Sequence, residues 1–269
     1  IATATDDAPV RLPVTEDIPA GRTDIPTITR GAAHRIMTGA PLPEGATAVV
    51  PVEATDGAVD TVTIRVSVVP GQHVRRAGED VTAGSTVLTA GQVVTPAALG
   101  LAAALGLVEL TVVPRQRVLV LSTGTELVAP GAPLQPGQIY ESNAVMLAAA
   151  VSDAGADVAV APMTSDGVDV FRETLREHTG QADLIITTGG VSAGAYEVVK
   201  DALSGTVEFV KVAMQPGMPQ GAGVVNGTPI ITLPGNPVSA LVSFEVFIRP
   251  ALRAAMGLPD ADRPRRTAT

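Results

Sequence analysis

The residues in this sequence best suited to chemistry are those with the smallest side chains. Gly189 and Gly190 follow Leu184 to Thr187, a run of apolar and β-branched residues that reads as a short strand buried on both faces, and Ser192 comes two residues later. A glycine has no Cβ, so the chain can turn tightly there and bring backbone N–H groups within hydrogen-bonding distance of a ligand. Tyr196 to Leu203 then reads as a helix. A strand, a glycine turn and a helix N-terminus together favour an anion, because unpaired amides and the helix dipole carry partial positive charge. An ordinary tight turn has the same composition, and on this stretch alone both readings stand.

Two further polar groups lie in the first hundred residues. Arg35 to Gly45, R-I-M-T-G-A-P-L-P-E-G, has two prolines and two glycines that fix an irregular, exposed loop on which Arg35 and Thr38 suit an oxyanion. A rigid turn with a surface arginine is the plainer reading. Further on, G-Q-H-V-R-R-A-G-E-D-V places Arg75 and Arg76 just ahead of the adjacent acids Glu79 and Asp80. A turn there gives either a solvated charged surface or a carboxylate pair that handles Mg²⁺ or protons.

Such groups need a frame to hold them. Residues 1 to 70 are rich in Val, Thr, Pro and Gly, with strand-like runs at Ala48 to Val52 and Val62 to Val68. Thr95 is placed to cap a helix over Ala97 to Leu105, with Pro96 at its start and Gly106 at its stop. From Arg115 strands alternate with helices: strand Val118 to Leu121, helix Asn143 to Ala154 ended by Gly155, strand Val158 to Ala161, a helix with Val168, Phe171 and Leu175 on one face, and strand Leu184 to Thr187. Val207 to Met214, carrying Lys211, and Pro229 to Leu233 read as further strands. Asn236 and Pro237 begin a helix running to about Met256. This alternation predicts an α/β fold with a doubly wound parallel sheet, whose ligands bind at the carboxyl ends of the strands. Ser122 to Glu126, Thr188 to Ser192 and Pro234 to Ala240 all fall at that edge.

Composition narrows the function. The chain has 269 residues, 46% of them apolar, which is enough for one large or two ordinary domains. A net charge of −9 argues against nucleic acid or an anionic membrane as partner. Aromatic residues are 2% with no tryptophan, which argues against base-stacking platforms. The absence of cysteine excludes disulfides, thiolate zinc sites and thiol catalysis, and agrees with a cytoplasmic location. No apolar run approaches the roughly 20 residues that span a bilayer.

Six strings in order, Arg35 to Pro41 (R-I-M-T-G-A-P), Gly78 to Asp80 (G-E-D), Ser122 to Gly124 with Glu126-Leu127, Gly137 to Ile139 (G-Q-I), Thr188 to Ser192 (T-G-G-V-S) and Leu233 to Ser239 (L-P-G-N-P-V-S), resemble the molybdopterin molybdenumtransferase family (MoeA), which includes the C-terminal domain of gephyrin. The resemblance covers almost the whole chain. It implies an enzyme of molybdenum cofactor biosynthesis that takes adenylylated molybdopterin and molybdate, inserts the metal at the dithiolene and releases AMP, with Mg²⁺ assisting. It further implies that Ser122, Thr123, Gly124, Glu126, Thr188, Gly189, Gly190, Val191, Ser192, Lys211, Pro234, Gly235, Asn236, Pro237 and Ser239 bind substrate. Glu79, Asp80, Thr38 and Asp166 would be catalytic, with Glu79, Asp80 and Asp166 as metal ligands. Asp166 also suits the N-cap of the Val168 helix.

The resemblance sets an organisation too. Residues 1–70 would be a β-rich domain lacking its start, 71–112 a linker with the G-E-D string and a short helix, 113–257 a MogA-like molybdopterin-binding domain, and 258–269 the start of a missing β-domain. The chain would thus be trimmed at both ends. A homodimer is implied, with transient contact to molybdopterin adenylyltransferase and to molybdenum enzymes. Where family members carry acids or lysines this chain has Thr125, Ala195, Gln215 and Met218, so molybdate needs other cations, for which Arg249, Arg253, Arg75 and Arg76 are the substitutes. The alternatives are a molybdopterin adenylyltransferase-like enzyme, against which residues 1 to 110 argue, and a gephyrin-like scaffold, which four Phe and two Tyr make a poor fit.

Overall fold

Val10–Ile18 alternates half-buried with exposed residues along its length, as a strand with one covered face must. This strand, β1, is the centre of a three-stranded sheet in a computed structural model that describes residues 4–161, 163–164, 167–190 and 198–264. The chain divides into two compact units, Ile1–Thr89 and Ala90–Thr269. In the first, β2 (Ala33–Ile36) runs parallel to β1 and β3 (Thr61–Ile64) antiparallel to it.

Two of the runs that read as strands behave differently. Ala48 to Pro51 is irregular and Val52–Ala54 is a single 3₁₀ turn, because Pro51 has no N–H to give a ladder. The alternation from Val62 to Val68 is a strand only as far as Ile64. Its start is fixed by Asp56, whose Oδ1 accepts from the N–H groups of Ala58 at 3.2 Å and Thr63 at 3.0 Å. These bonds, with that from the Thr63 side chain foremost, pull the Asp56 carboxyl down to a pKa of about 2.

The second unit opens with helix α1 (Pro96–Ala104), capped by the Thr95 hydroxyl on the Ala98 N–H at 3.2 Å. It continues with β4 (Arg117–Ser122), the short parallel pair β5 (Leu127–Val128) and β6 (Ile139–Tyr140), α2 (Asn143–Asp153), β7 (Asp157–Val160), α3 (Val168–Thr179), β8 (Leu184–Thr188) and α4 (Val198–Ala202). Last come β9 (Val207–Lys211), β10 (Pro219–Val225), β11 (Thr228–Leu233), α5 (Pro237–Ser243), a π-helical turn at Phe244–Ile248 and α6 (Arg249–Ala255).

The main sheet has the order β7-β4-β8-β11-β10-β9. Its first four strands are parallel; β10 pairs antiparallel with β11 and β9 antiparallel with β10, so β10 alone runs against the others. Side-chain alternation builds two cores. Val118, Val120 and Ile186 meet α2 and the last helix through Leu147, Val151, Phe244, Ile248 and Leu252, whereas Leu119, Leu121, Ile185 and Ile230 meet α3 and α4 through Phe171, Leu175, Val198 and Val199. Helices thus cover both faces, the doubly wound α/β arrangement.

Strand β10 has no counterpart in the sequence reading, because Gly221 and Gly223 weaken the strand pattern. They are there for close approach: a Cβ on Gly221 would lie 2.9 Å from Phe209 Cδ1 of β9. Strand β9 accordingly ends at Lys211, and 212–218 form the loop of a hairpin. The last helix is also not continuous. Pro250 has no N–H for the preceding turn and its ring crowds the carbonyl four residues back, a conflict the π turn absorbs.

At the amino ends of β4 and β8, Asp183 accepts from the Arg117 backbone N–H at 2.8 Å, from Nε at 3.1 Å and from Nη2 at 2.8 Å. The Arg117 guanidinium, followed by its backbone N–H, holds the Asp183 carboxyl below its ordinary value. Asp183→Asn should therefore destabilise the sheet at pH 7 by about 1 kcal/mol, the value of a charge-assisted contact discounted for its exposure. Because the folded carboxyl titrates below its unfolded value, its contribution is complete above about pH 4 and is lost as pH falls through the folded pKa. Calorimetric melts of parent and variant should differ at pH 7 and converge in acid.

Candidate functional site

The carboxyl ends of β4, β8 and β11 meet at one edge of the sheet. Thr123 N–H donates to Thr188 O at 3.1 Å, Gly189 N–H to Leu233 O at 3.2 Å, and Gly124 N–H to Thr164 O at 3.2 Å, so the ladder runs on into the loops. Gly189 and Gly190 have φ of +93° and +65°, conformations that suit glycine. A Cβ at Gly189 would stand 2.5 Å from Thr123 O, and one at Gly190 2.9 Å from Val199 Cγ2. The glycine pair is therefore required first by its neighbours, and the Gly189 amide is already engaged within the sheet. Val191, Ser192 and Asp166 lie outside the described residues.

The first turn of α2 fastens these ends together. Glu141 is 5% exposed, and its Oε1 accepts from Ser122 Oγ at 2.9 Å and from the Ala144 N–H at 2.6 Å, which ties the end of β4 to the start of α2. Asn143 Nδ2 donates to Thr188 Oγ1 at 2.9 Å and to Gly235 O at 2.8 Å. Thr188 Oγ1 donates in turn to Pro234 O at 3.2 Å. Neither Glu141 nor Asn143 stands out in the sequence as a site residue. Asn143 reads there only as the start of a helix, and nothing in its spacing signals the strands it holds.

The structure redistributes the other candidates. Ser122 is buried against Glu141 and supports the edge from beneath instead of facing it. Ser239 is buried as well; its N–H and hydroxyl both donate to Asn236 Oδ1, the cap of α5, with Pro237 in the first turn. Thr123 is 4% exposed, and its Oγ1 has no hydrogen-bond partner beside the glycine pair. Glu126 is exposed and lays its carboxylate against Gly124. Pro234 is buried, while Gly235, Asn236 and Pro237 are exposed at the edge. Lys211 reaches the same edge on β9 but three strands from β8, about 14 Å at the usual strand spacing, so the two do not share one phosphate.

Beyond α5 lies the 212–218 loop that carries Gln215 and Met218. Gln220 Nε2 pins it, donating to Gly217 O at 2.7 Å and to Ser243 Oγ at 2.6 Å. The arginines of the last helix do not compensate for the missing lysines there. Arg249 donates to Ala261 O at 2.9 Å, and Arg253 to Pro259 O at 2.6 Å and Ala154 O at 3.4 Å, so both guanidinium groups are engaged on backbone carbonyls.

In the first unit, Thr38 is exposed on the turn after β2, while Arg35 lies within β2 with its guanidinium bonded to Asp17 at 2.5 and 3.2 Å. Arg35 is thus engaged rather than open to an oxyanion. Glu79 Oε2 accepts from the Arg76 N–H at 2.8 Å, and Asp80 pairs with Arg75 at 3.0 Å on an exposed turn. Among the described residues no group of three or more acids or histidines forms that could hold a metal ion. Two adjacent carboxylates on one turn, each with a partner, do not by themselves make an Mg²⁺ site.

Residues 1–106 match the family model described as the MoeA N-terminal region (domain I and II), and residues 119–254 match that of a probable molybdopterin binding domain. Molybdopterin molybdenumtransferase 2 of Mycobacterium tuberculosis is 68% identical over 273 residues, 98% of this chain and 67% of that protein. The chain belongs to the molybdopterin molybdenumtransferase (MoeA) family. Molybdopterin molybdenumtransferase 1 of the same organism is 40% identical, over 91% of this chain and 59% of that protein. A crystal structure of a molybdopterin biosynthesis MoeA protein from Pyrococcus horikoshii superposes with a TM-score of 0.68 at 30% identity, over 94% of this chain and 64% of that one. The chain thus spans about 59 to 67% of the length of these MoeA relatives.

In this MoeA chain the glycines of the edge are not equivalent. Gly189→Ala should destabilise the fold by about 1 to 3 kcal/mol, since it adds both a left-handed strain and a backbone clash. Gly235→Ala meets only Gly189 Cα at 3.5 Å, an ordinary contact, and should be nearly neutral. Thermal denaturation of both variants checks this, and equal melting temperatures would contradict it.

Proposed function

We propose that this chain works as a molybdopterin molybdenumtransferase in molybdenum cofactor biosynthesis: it takes adenylylated molybdopterin and molybdate, joins the metal to the dithiolene and releases AMP. The observation that carries this reading is the convergence of the Gly189–Gly190 turn, the Gly235–Asn236 loop and the unpartnered Thr123 hydroxyl at one sheet edge, in a chain whose two halves both match MoeA family models. The match over residues 1–106 favours this function over that of an adenylyltransferase.

The edge binds the phosphate end of the substrate through exposed loop backbone and hydroxyls, with Lys211 and the 212–218 loop serving a more distant part of the ligand. Mg²⁺, when bound, supplies neutralisation of charge on the phosphoanhydride oxygens. Glu79 and Asp80 have the oxygen chemistry it takes but lack a third partner among the described residues. Asp80 serves as a proton acceptor: its exposed pair with Arg75 is worth at most about 1 kcal/mol and is readily given up. The protein acts in the cytoplasm as a homodimer, receiving substrate from molybdopterin adenylyltransferase and passing product to molybdenum enzymes; no helix among the described residues is long and apolar enough to cross a membrane.

Incubation of the protein with adenylylated molybdopterin, Mg²⁺ and molybdate should release AMP and yield a cofactor that activates an apo-molybdoenzyme; AMP release independent of molybdate would contradict the proposal. Asp80→Asn should abolish AMP release and leave the melting temperature within about 2 °C of the parent, since an exposed pair contributes little to stability. Unchanged turnover would leave Asp80 as a surface turn residue.

A further inference from the structure

We infer that Asn143 is a positioning residue for the substrate edge, setting the separation of the loops after β8 and β11. Both N–H groups of its side-chain amide are in use, one on Thr188 Oγ1 and one on Gly235 O, at 2.9 and 2.8 Å. Those acceptors belong to two different strand ends, and the Thr188 hydroxyl extends the link to Pro234 O. The amide itself is fixed from behind, because Glu141 holds the first turn of α2 against Ser122 of β4. Asn143 therefore connects the ends of β8 and β11, and Glu141 two residues earlier ties both to the end of β4.

The Gly189 N–H on Leu233 O and the Thr188 hydroxyl on Pro234 O join the two ends directly, but side-chain packing between the loops adds little. Gly189, Gly190 and Gly235 bring no side chains to interlock, and glycine is the residue with the most backbone freedom to lose. Only an amide of this length with two donors meets both acceptors. Aspartate is acceptor-only when ionised, and alanine and leucine have no donor. The orientation seen leaves Oδ1 buried and unpartnered, and the reverse would set that oxygen against Gly235 O. The need for both donors is what fixes the amide. Freed of Asn143, the glycine turn and the Gly235 loop would occupy several separations, and a ligand that needs one of them would bind less tightly.

This role rests on the proposed reading of the edge as the substrate site. Asn143→Leu, nearly isosteric, should raise the Kd and KM for adenylylated molybdopterin about tenfold with kcat within about threefold, because what is lost is a prearranged site rather than a reacting group. Without ligand, hydrogen exchange at the Gly189 amide should quicken while that at Ile186, inside β8, stays as in the parent. Thr188→Val, which removes the acceptor and leaves Asn143 in place, should move both readouts in the same direction. If the parent itself does not bind adenylylated molybdopterin, the reading of the edge fails and this role with it. If the parent binds and either variant keeps parental affinity and Gly189 exchange, the role of Asn143 alone is refuted. A loss in kcat with unchanged KM would likewise overturn it.

Discussion

Everything at the candidate site depends on the first turn of α2. A parallel sheet fixes its strands by ladder bonds, and here these run on only as far as Gly124 and Gly189, into loops after β8 and β11 rich in glycine and proline. Glu141 and Asn143 continue the constraint past the end of the ladder. Glu141 takes the Ser122 hydroxyl of β4, and Asn143 gives its two N–H groups to Thr188 of β8 and to Gly235 after β11. Glu141 is buried, where an unmade hydrogen bond is costly, and Asn143 is half-buried beside it. At the opposite edge Arg117 and Asp183 join β4 to β8, so these two strands are held at both ends.

That arrangement assigns the polar residues of the edge to two layers. Ser122 and Ser239 are inner supports, each buried and each engaged with another side chain. Gly235, Asn236 and Pro237 form the outer layer, and the Thr123 hydroxyl lies buried and unpartnered beneath it beside the glycine pair. Lys211 stands three strands from the glycine turn, and the arginines of the last helix hold the C-terminal strap.

The α/β frame was legible because periodicity reports burial. Val118 to Leu121 and Leu184 to Thr187 are apolar on both faces, and both are central strands; Val168, Phe171 and Leu175 share a helical face that is packed. Caps were legible for the same reason of local chemistry, as at Thr95 and Asn236. What escaped were features set by distant neighbours. Strand β10 is hidden by Gly221, whose missing side chain makes room for Phe209. Asn143 is separated by 45 residues from Thr188 and by 92 from Gly235, so no local pattern announces its partners. Ser122 and Ser239 have the composition of contact residues, and only their burial assigns them to support.

The most direct test of this account is a crystal structure of the protein with adenylylated molybdopterin. Phosphate density within hydrogen-bonding distance of the loops at Gly190 and Gly235, with Asn143 still bonded to Thr188 and Gly235, is the predicted result. Density at the opposite edge instead, in the cleft of about 190 Å³ lined by Arg117, Asp157 and His178, would contradict it.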